Sequence, residues 1–313
     1  MGKLKISSTP HIHQKGSSTR NIMLDVVIAM LPAAVAGVIL FGIKALWVIL
    51  TCVISSILAE AIFNLCVHKK QTVGDFSAVV TGLLLALNLS TNVPLWQCVV
   101  GSVFAIVVVK CLFGGLGKNI VNPAITARVF MLLTFSATVA GGAAPIAAEL
   151  TSSATPLATL NNGAKASEGV KLLDLFLGNH AGAIGETCAL ALLIGFVYLV
   201  ARKVIKWYVP ASYVATVFAC YFLFDGFNAT FALQHVLAGG LLLGAIFMAT
   251  DYVTTPVTNK GRVVFCIGAG LLTFAIRKFG TYPEGVSIAI LTMNLLTPFI
   301  TDFTKKKTLG GVK

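Results

Sequence analysis

The sequence has few charged residues, since only 11% of its 313 residues are Asp, Glu, Lys or Arg. A soluble globular domain usually carries about 25% charged residues, so this scarcity excludes an ordinary soluble protein. Hydrophobic residues make up 57% of the chain, and the mean hydropathy is +0.91. The apolar runs are long enough to cross a hydrocarbon core of roughly 30 Å, and they are too numerous for a cleaved signal peptide. The sequence therefore predicts an integral membrane protein.

Several motifs that mark catalytic or metal-binding domains are absent. The seven cysteines form no C-x-x-C pair, and each lies in or beside an apolar run, so we interpret them as small buried side chains. The five histidines form no ligand cluster. The sequence has no Walker loop, no H-E-x-x-H, and no G-x-G-x-x-G after a predicted strand. We therefore expect this chain by itself to bind no ATP, NADH or metal ion.

Basic residues outnumber acidic ones by 23 to 11, which gives a net charge of +12. They lie in short loops beside apolar segments, so we interpret them as a topology signal and expect no nucleic-acid partner. Alternating spans from a cytoplasmic N-terminus place most of them, including Lys110, on the cytoplasmic side, as the positive-inside rule requires. We predict a multi-pass protein of the cytoplasmic (inner) membrane with both termini in the cytoplasm.

Apolar windows predict about ten transmembrane helices. They divide the chain into a cytoplasmic arm (1–21) that contacts a cytoplasmic partner or lipid headgroups, five spans (22–141), an extracytoplasmic loop (142–183), five further spans (184–304) and a cytoplasmic tail (305–313). The windows are 22–43, 45–67, 76–90, 94–113, 120–141, 184–201, 208–225, 230–250, 262–279 and 284–303.

An odd number of spans in each half predicts two inverted repeats, as in many transporters. Segments 82–96 and 244–258 are similar: each is an apolar half-span that breaks into Thr, Asn or Asp residues near a proline. Each is followed by an apolar run and a Gly-rich turn, at 113–124 and 278–285. Interrupted helices in matching positions predict a midplane site between the halves. The predicted fold is an all-α bundle of two inverted five-helix repeats, similar to urea transporters.

Thr155, in the polar interval between the halves, directly precedes Pro156. Because proline suits the first helical position, Thr155 is a candidate N-cap of a short helix. The same geometry places a hydroxyl at a helix N-terminus, where free N–H groups favour a phosphate. The residues alone leave capping and modification both open.

Acidic residues in or beside predicted spans are costly and are candidates for function. Asp251 follows the break after the eighth span, and Glu284 lies in the equivalent break before the tenth. Both suit an ion or flavin pocket between the repeats, but a helix cap or a salt bridge, for Glu284 with Arg277 or Lys278, explains them equally well. The acidic candidates are Asp25, Glu60, Asp75, Glu186, Asp251 and Glu284.

Three further interpretations stay open. Glu186 follows Gly185 in a predicted turn, where an acid suits the first turn of a helix as well as ion handling. Arg128 lies within the fifth span and needs a wet cavity or a partner, such as a carboxylate, a flavin phosphate or a flavin carbonyl. Asn122 before Pro123 fits either a re-entrant break or an ordinary helix start.

The stretch Ser152-Ser153-Ala154-Thr155-Pro156-Leu157 resembles a flavinylation motif in which the phosphate of FMN esterifies the threonine hydroxyl. The chain resembles, nearly end to end, the family of the D subunit of the Rnf complex, whose nearest relative is the B subunit of the sodium-pumping NADH:quinone oxidoreductase. Two positions depart from the usual motif: Ser153 replaces a glycine, and Glu149 replaces a frequent aspartate. The resemblance is carried by segments 17–33, 113–124, 182–195, 247–262 and 282–298.

The resemblance implies an integral subunit of a ferredoxin:NAD oxidoreductase that couples electron transfer to Na+ or H+ translocation, with other membrane and peripheral redox subunits as partners. It implies FMN held covalently on Thr155, attached by a flavin transferase outside the membrane, which agrees with the outer placement derived from charge. It also suggests a second, noncovalent flavin, riboflavin. Candidate flavin-contacting residues are Ser152, Ser153, Ala154 and Arg128; candidates for an ion path or the second flavin are Asn122, Glu186, Asp251 and Glu284.

Three alternatives are weighed against this interpretation. A cofactor-free channel with a urea-transporter-like fold would also have inverted five-helix repeats, and a passive scaffold would bind no flavin. A protein that carries flavin excludes both. The quinone-reductase B subunit is the third alternative, and the short cytoplasmic arm of this chain favours the Rnf protein over it.

Overall fold

The computed structural model describes residues 5–6, 12–13, 18–69, 71–146, 155–161, 171–280 and 284–305. Helices dominate this part of the chain, which confirms the predicted all-α class. A short antiparallel ladder joins β1 (Lys5–Ile6) to β2 (Ile12–His13) in the N-terminal arm.

The helices of the first half follow the predicted windows closely. They are α1 (Thr19–Phe41), α2 (Ile43–Cys66), α3 (Ser77–Leu87), α4 (Leu95–Val103), α5 (Pro123–Thr134) and α6 (Ser136–Val139). A 3-10 turn (Val73–Asp75) precedes α3, and α4 continues directly into a π-helical segment (Phe104–Cys111).

The second half is preceded by two short helices of the polar interval. These are α7 (Pro156–Asn161) and α8 (Leu172–Leu177). The helices that follow are α9 (Ala189–Ala201), α10 (Tyr208–Phe224), α11 (Ala229–Leu237), α12 (Leu241–Leu243), α13 (Asn259–Phe279) and α14 (Val286–Thr304). The π-helical segment Gly244–Met248 extends α12.

Each predicted window contains a helix, but many of these helices are short. Among the described residues, α1, α2 and α14 are long and apolar enough to cross a membrane, and the bent pair α11 and α12 would add a fourth span. The pair bends by 68°. At 1.5 Å per residue, the 11 residues of α3 reach about 17 Å, so α3 ends inside the protein. The ten-span topology therefore stays a prediction.

Where α3 ends, a segment from the second half forms hydrogen bonds with the backbone carbonyls. The backbone N–H of Ile184 donates to the carbonyl of Leu89 (3.0 Å), and that of Gly185 donates to the carbonyl of Leu87 (2.8 Å). A Cβ on Gly185 would lie 2.5 Å from the Cβ of Leu87, so a larger residue would push the two backbone segments apart. The end of α3 thus depends on a glycine in the other half.

Helices in corresponding positions of the two halves pack against each other. α1 packs against α9, and α5 packs against α14. Within each half, α2 packs against α3 and α4, and α13 packs against α10 and α14. These contacts form a large apolar core and bring the interrupted helices α3 and α12 to the boundary between the halves. A smaller apolar cluster contains Ala59, Ala78, Ile106 and Cys111.

Candidate functional site

A partly open cavity with a volume of about 90 Å³ lies at the boundary between the halves. We call it the boundary cavity. Its apolar wall comes from α1, α3 and α9 together with Phe247 of the π-helical segment after α12. The polar side chains that line it are Ser77, Thr81, Lys110, Asn119, Asn122, Thr250 and Asp251. A mostly apolar, partly open pocket with a few converging polar groups resembles a small-molecule site in its lining.

Asn122 and Asp251 meet in this cavity. The side-chain oxygen of Asn122 accepts from the backbone N–H groups of Ala124 (3.0 Å) and Ile125 (3.3 Å), so it caps α5. Its Nδ2 atom lies 3.5 Å from Oδ2 of Asp251. Asp251 also accepts from the hydroxyl of Thr254 (3.0 Å). The capping interpretation of Asn122 is therefore confirmed, and its amide nitrogen still faces the carboxylate.

Asn294 of α14 ties these two breaks together. With its amide oriented to satisfy both ends, Nδ2 donates to the carbonyl of Thr254 (3.2 Å) and the oxygen accepts from the N–H of Asn122 (3.2 Å). Asn119 stands beside this network, and its Oδ1 atom is buried without a partner among the described residues. A buried acceptor without a partner is costly, so Asn119 is available to a ligand of the cavity.

Lys110 is a residue of this cavity that the charge pattern did not identify. It was counted as a cytoplasmic topology signal, but it is 1% exposed and lies in the π-helical segment after α4. Its ammonium group donates to Glu60 (2.9 Å) and Ser77 (2.6 Å), and Thr72 donates to the other oxygen of Glu60 (2.6 Å). The signal that could have found it is its position inside an apolar window.

The other acidic candidates near the cavity have local partners. Asp25 accepts from Arg202 (3.2 Å) and from the hydroxyl of Tyr198 (3.0 Å), which ties α1 to α9. Asp75 accepts from the backbone N–H of Ser77 (2.8 Å) at the start of α3. Asp25 thus forms an ion pair between two helices, and Asp75 binds the backbone where α3 begins.

The second group of candidates lies at the bend between α11 and α12. Arg128 pairs with Glu284, which joins α5 to the start of α14. The expected partners of Glu284 were wrong, because Arg277 donates to the carbonyls of His235 (2.7 Å) and Ala238 (3.3 Å), and Lys278 pairs with Asp225 instead.

Glu186 completes this second group. A Cβ on Gly240 would lie 2.7 Å from Oε1 of Glu186, so the carboxylate touches the backbone at the start of α12. It interacts electrostatically with Arg128, Arg277 and Glu284. The structure thus separates the sequence candidates into two groups: Asn122 with Asp251, and Arg128 with Glu186 and Glu284.

Thr155 stands at the start of α7, next to the second group. Its hydroxyl accepts a long hydrogen bond from the N–H of Ala158 (3.4 Å), which confirms a weak N-cap. Leu157 and Leu160 bury α7 against the bundle, and Leu157 comes within 3.0 Å of the position that a Cβ on Gly239 would occupy. Thr155 itself is half-buried. The neighbouring motif residues Ser152, Ser153 and Ala154 lie outside the described residues.

His180 belongs to the same interval and lies close to this region. Its Nδ1 atom is 3.2 Å from the carbonyl oxygen of Ala181. Burial lowers the pKa of His180 below its ordinary value, so the ring is neutral at neutral pH.

Interrupted apolar helices and polar groups buried at their breaks define a polytopic membrane protein with internal sites. The family model described as "NQR2, RnfD, RnfE family" matches residues 5–310. The chain belongs to this family, which confirms the resemblance stated from its motifs.

Full-length relatives agree with this assignment. The D subunit of the Na+-translocating ferredoxin:NAD+ oxidoreductase complex of Acetobacterium woodii is 48% identical, over 99% of this chain and 96% of the relative. The D subunit of the proton-translocating ferredoxin:NAD+ oxidoreductase complex of Clostridium ljungdahlii is 39% identical, over 97% and 96%. The D subunit of the ion-translocating oxidoreductase complex of Salmonella arizonae is 34% identical, over 99% of both chains.

Glu60→Gln should destabilise the protein strongly, because it leaves the buried ammonium group of Lys110 without its counter-charge. Removing one partner of a buried ion pair costs about 3–5 kcal/mol. Thermal unfolding in detergent, followed by size-exclusion chromatography, measures the loss. Lys305→Met removes the exposed pair with Asp302 and is the control, because surface pairs contribute about 0–1 kcal/mol. Equal small effects of both substitutions would contradict the assignment of Lys110.

Proposed function

We propose that this chain is the membrane-embedded D subunit of an ion-translocating ferredoxin:NAD oxidoreductase complex, and that it carries electrons through FMN esterified to Thr155. The observation that carries the proposal is the position of Thr155, half-buried at the start of a helix anchored beside the bend of α11 and α12. Family membership and the 48% identical relative support the same conclusion.

The surroundings of Thr155 fit a covalently held phosphate. Its hydroxyl makes only the long bond to Ala158, so esterification gives up a weak cap. The backbone N–H groups of the first turn of α7 favour a negative charge at that place. When bound, FMN supplies the electron-transfer chemistry, and the protein supplies position and environment. The buried side chains of Leu157 and Leu160 keep this helix fixed against the bundle.

We propose that a second, noncovalent flavin, riboflavin, binds at the boundary cavity. Its apolar wall suits the ring system, while Asn119, Asn122 and Asp251 offer hydrogen bonds of both senses. The protein would then hold one flavin at the boundary cavity and one on α7. α7 packs against α11, whereas the boundary cavity is lined by Phe247 and Thr250, which follow α12. We propose that electrons pass between these two places.

The packing supports a proposed topology of two inverted five-helix repeats, as in urea transporters. The pairs α1 with α9 and α5 with α14 join corresponding members of the two halves. With both termini in the cytoplasm, the boundary cavity opens toward the cytoplasm and Thr155 faces outward, where a flavin transferase acts. The transported ion is Na+ or H+, since relatives named for each ion match this chain. The other membrane and peripheral subunits of the complex complete the path.

Thr155→Val should abolish covalent flavin. The measurement is in-gel flavin fluorescence of the purified, denatured chain after expression with a flavin transferase. We expect a fluorescent band in the wild type, none in Thr155→Val, and an unchanged band in Thr159→Val, which removes a hydroxyl from the same short helix. A wild-type chain without fluorescence, beside a control protein that the transferase modifies, would refute the proposal and favour a channel or a scaffold.

Asn119→Leu should weaken the noncovalent flavin and leave the covalent one intact. One neutral hydrogen bond is worth about 0.5–1.5 kcal/mol, so we expect the affinity to fall severalfold. Acid-extractable flavin per chain, measured after matched dilution and washing, gives the occupancy. Asn92→Leu changes an exposed asparagine outside the cavity and should have no effect. Equal extractable flavin in both variants would contradict this assignment of the cavity.

A further inference from the structure

The bend between α11 and α12 holds four buried or half-buried charges that balance. Arg128 is 3% exposed, Arg277 is 2% exposed and Glu186 is 4% exposed. The side chain of Glu284 is 25% exposed, so it is the least buried of the four. Buried ionisable residues are expensive in a membrane protein and generally mark a path for ions or protons.

Several polar atoms around these charges have no protein partner. In the described part of the chain, Nη1 of Arg128, Nε of Arg277, both ring nitrogens of His235 and the hydroxyl of Tyr221 are buried without a hydrogen bond. His235 stacks on Tyr221 with ring centroids 3.7 Å apart, and its backbone carbonyl accepts from Arg277. Each unpaired buried group costs about 1–3 kcal/mol. Several such groups in one region therefore indicate internal water or a bound ion.

Among the four charges at the bend, Glu186 is the one whose side chain forms no direct ion pair or hydrogen bond with a charged or carbonyl partner in the described structure. Arg128 is engaged by Glu284, and Arg277 is engaged by the last carbonyls of α11. Neither arginine forms an ion pair with Glu186 in the described structure. Its carboxylate instead rests on the backbone at Gly240, where the chain turns after Gly239 adopts a positive φ of 69°. The site therefore holds a carboxylate that lies near two arginines but forms a direct ion pair with neither.

We propose that Glu186 is the exchangeable carboxylate of a hydrated relay, and that it takes up one monovalent positive charge, Na+ or a proton, at the bend of α11 and α12. The inference rests on the proposed function and adds to it a binding site for the translocated ion. Uptake neutralises the carboxylate and weakens its attraction for Arg128 and Arg277; release restores it. Because the empty cluster is neutral, loading leaves one excess charge, which keeps binding weak enough for release.

The test uses inverted membrane vesicles that contain the complete complex, driven by reduced ferredoxin and NAD+. NADH formation, radioactive sodium uptake and dye-reported acidification are measured together. In Glu186→Gln, which keeps shape but removes the charge, we expect ion uptake to fall by about tenfold or more, the effect of a barrier raised by about 1.4 kcal/mol. Asp225→Asn is the control, because its partner Lys278 stays 39% exposed to solvent.

Glu186→Asp keeps the charge, and it is the variant to measure if Glu186→Gln prevents the complex from assembling. We expect it to retain uptake with a weakened apparent affinity for Na+ or protons. A wild-type uptake rate in Glu186→Gln, or a wild-type apparent affinity in Glu186→Asp, would overturn the inference while leaving the proposed function standing. Wild-type vesicles that form NADH but take up neither ion would refute the proposed function instead.

Infrared difference spectra of the purified complex show whether Glu186 takes up a proton or Na+. A protonated-carboxyl band that shifts in D2O and disappears in Glu186→Gln identifies a proton. A carboxylate band that changes with Na+ but not with K+, and disappears in the same variant, identifies sodium. If no band depends on Glu186, the inference is wrong.

Discussion

The fold depends on satisfying backbone groups where helices end inside the protein. A membrane core offers no water to carbonyl and N–H groups, so an interrupted helix is stable only if other parts of the protein pair with its end. α3 ends at Leu87, and the backbone of Ile184 and Gly185 supplies the missing donors. Arg277 performs the same task for the last carbonyls of α11. These contacts fix the places where polar side chains can gather.

Because several of these contacts cross between the halves, the polar sites form at their boundary. Asn122 from the first half meets Asp251 from the second, and Asn294 binds both breaks. Arg128 from the first half pairs with Glu284 from the second. The same requirement that stabilises the interruptions therefore builds a cavity at one break and a charge cluster at the other. Function would then depend on the two halves keeping their relative position.

The sequence predicted the interruption after α3, because polar residues and a proline follow its apolar run, but it placed 230–250 in one span and missed the bend between α11 and α12. A cap was one of two open interpretations at both Asn122 and Thr155, and the structure shows the caps, which depend on the next three residues. The partner of Glu284 was predicted wrongly, since nearby basic residues were considered and Arg128 is distant in the chain. Lys110 was misinterpreted because counting charges by loop ignores the buried Glu60 that neutralises it. Pairings of this kind depend on tertiary packing, which periodicity does not encode.

We propose that the boundary cavity and Thr155 open to opposite sides of the membrane. Single cysteines test it directly: Lys118→Cys, exposed near the cavity, and Lys171→Cys, exposed in the polar interval, each in a background where the exposed Cys66 is serine. Intact right-side-out cells are treated with a membrane-impermeant maleimide before and after permeabilisation. We expect Lys171→Cys to be labelled before permeabilisation and Lys118→Cys only afterwards. Labelling of both from the same side would contradict it.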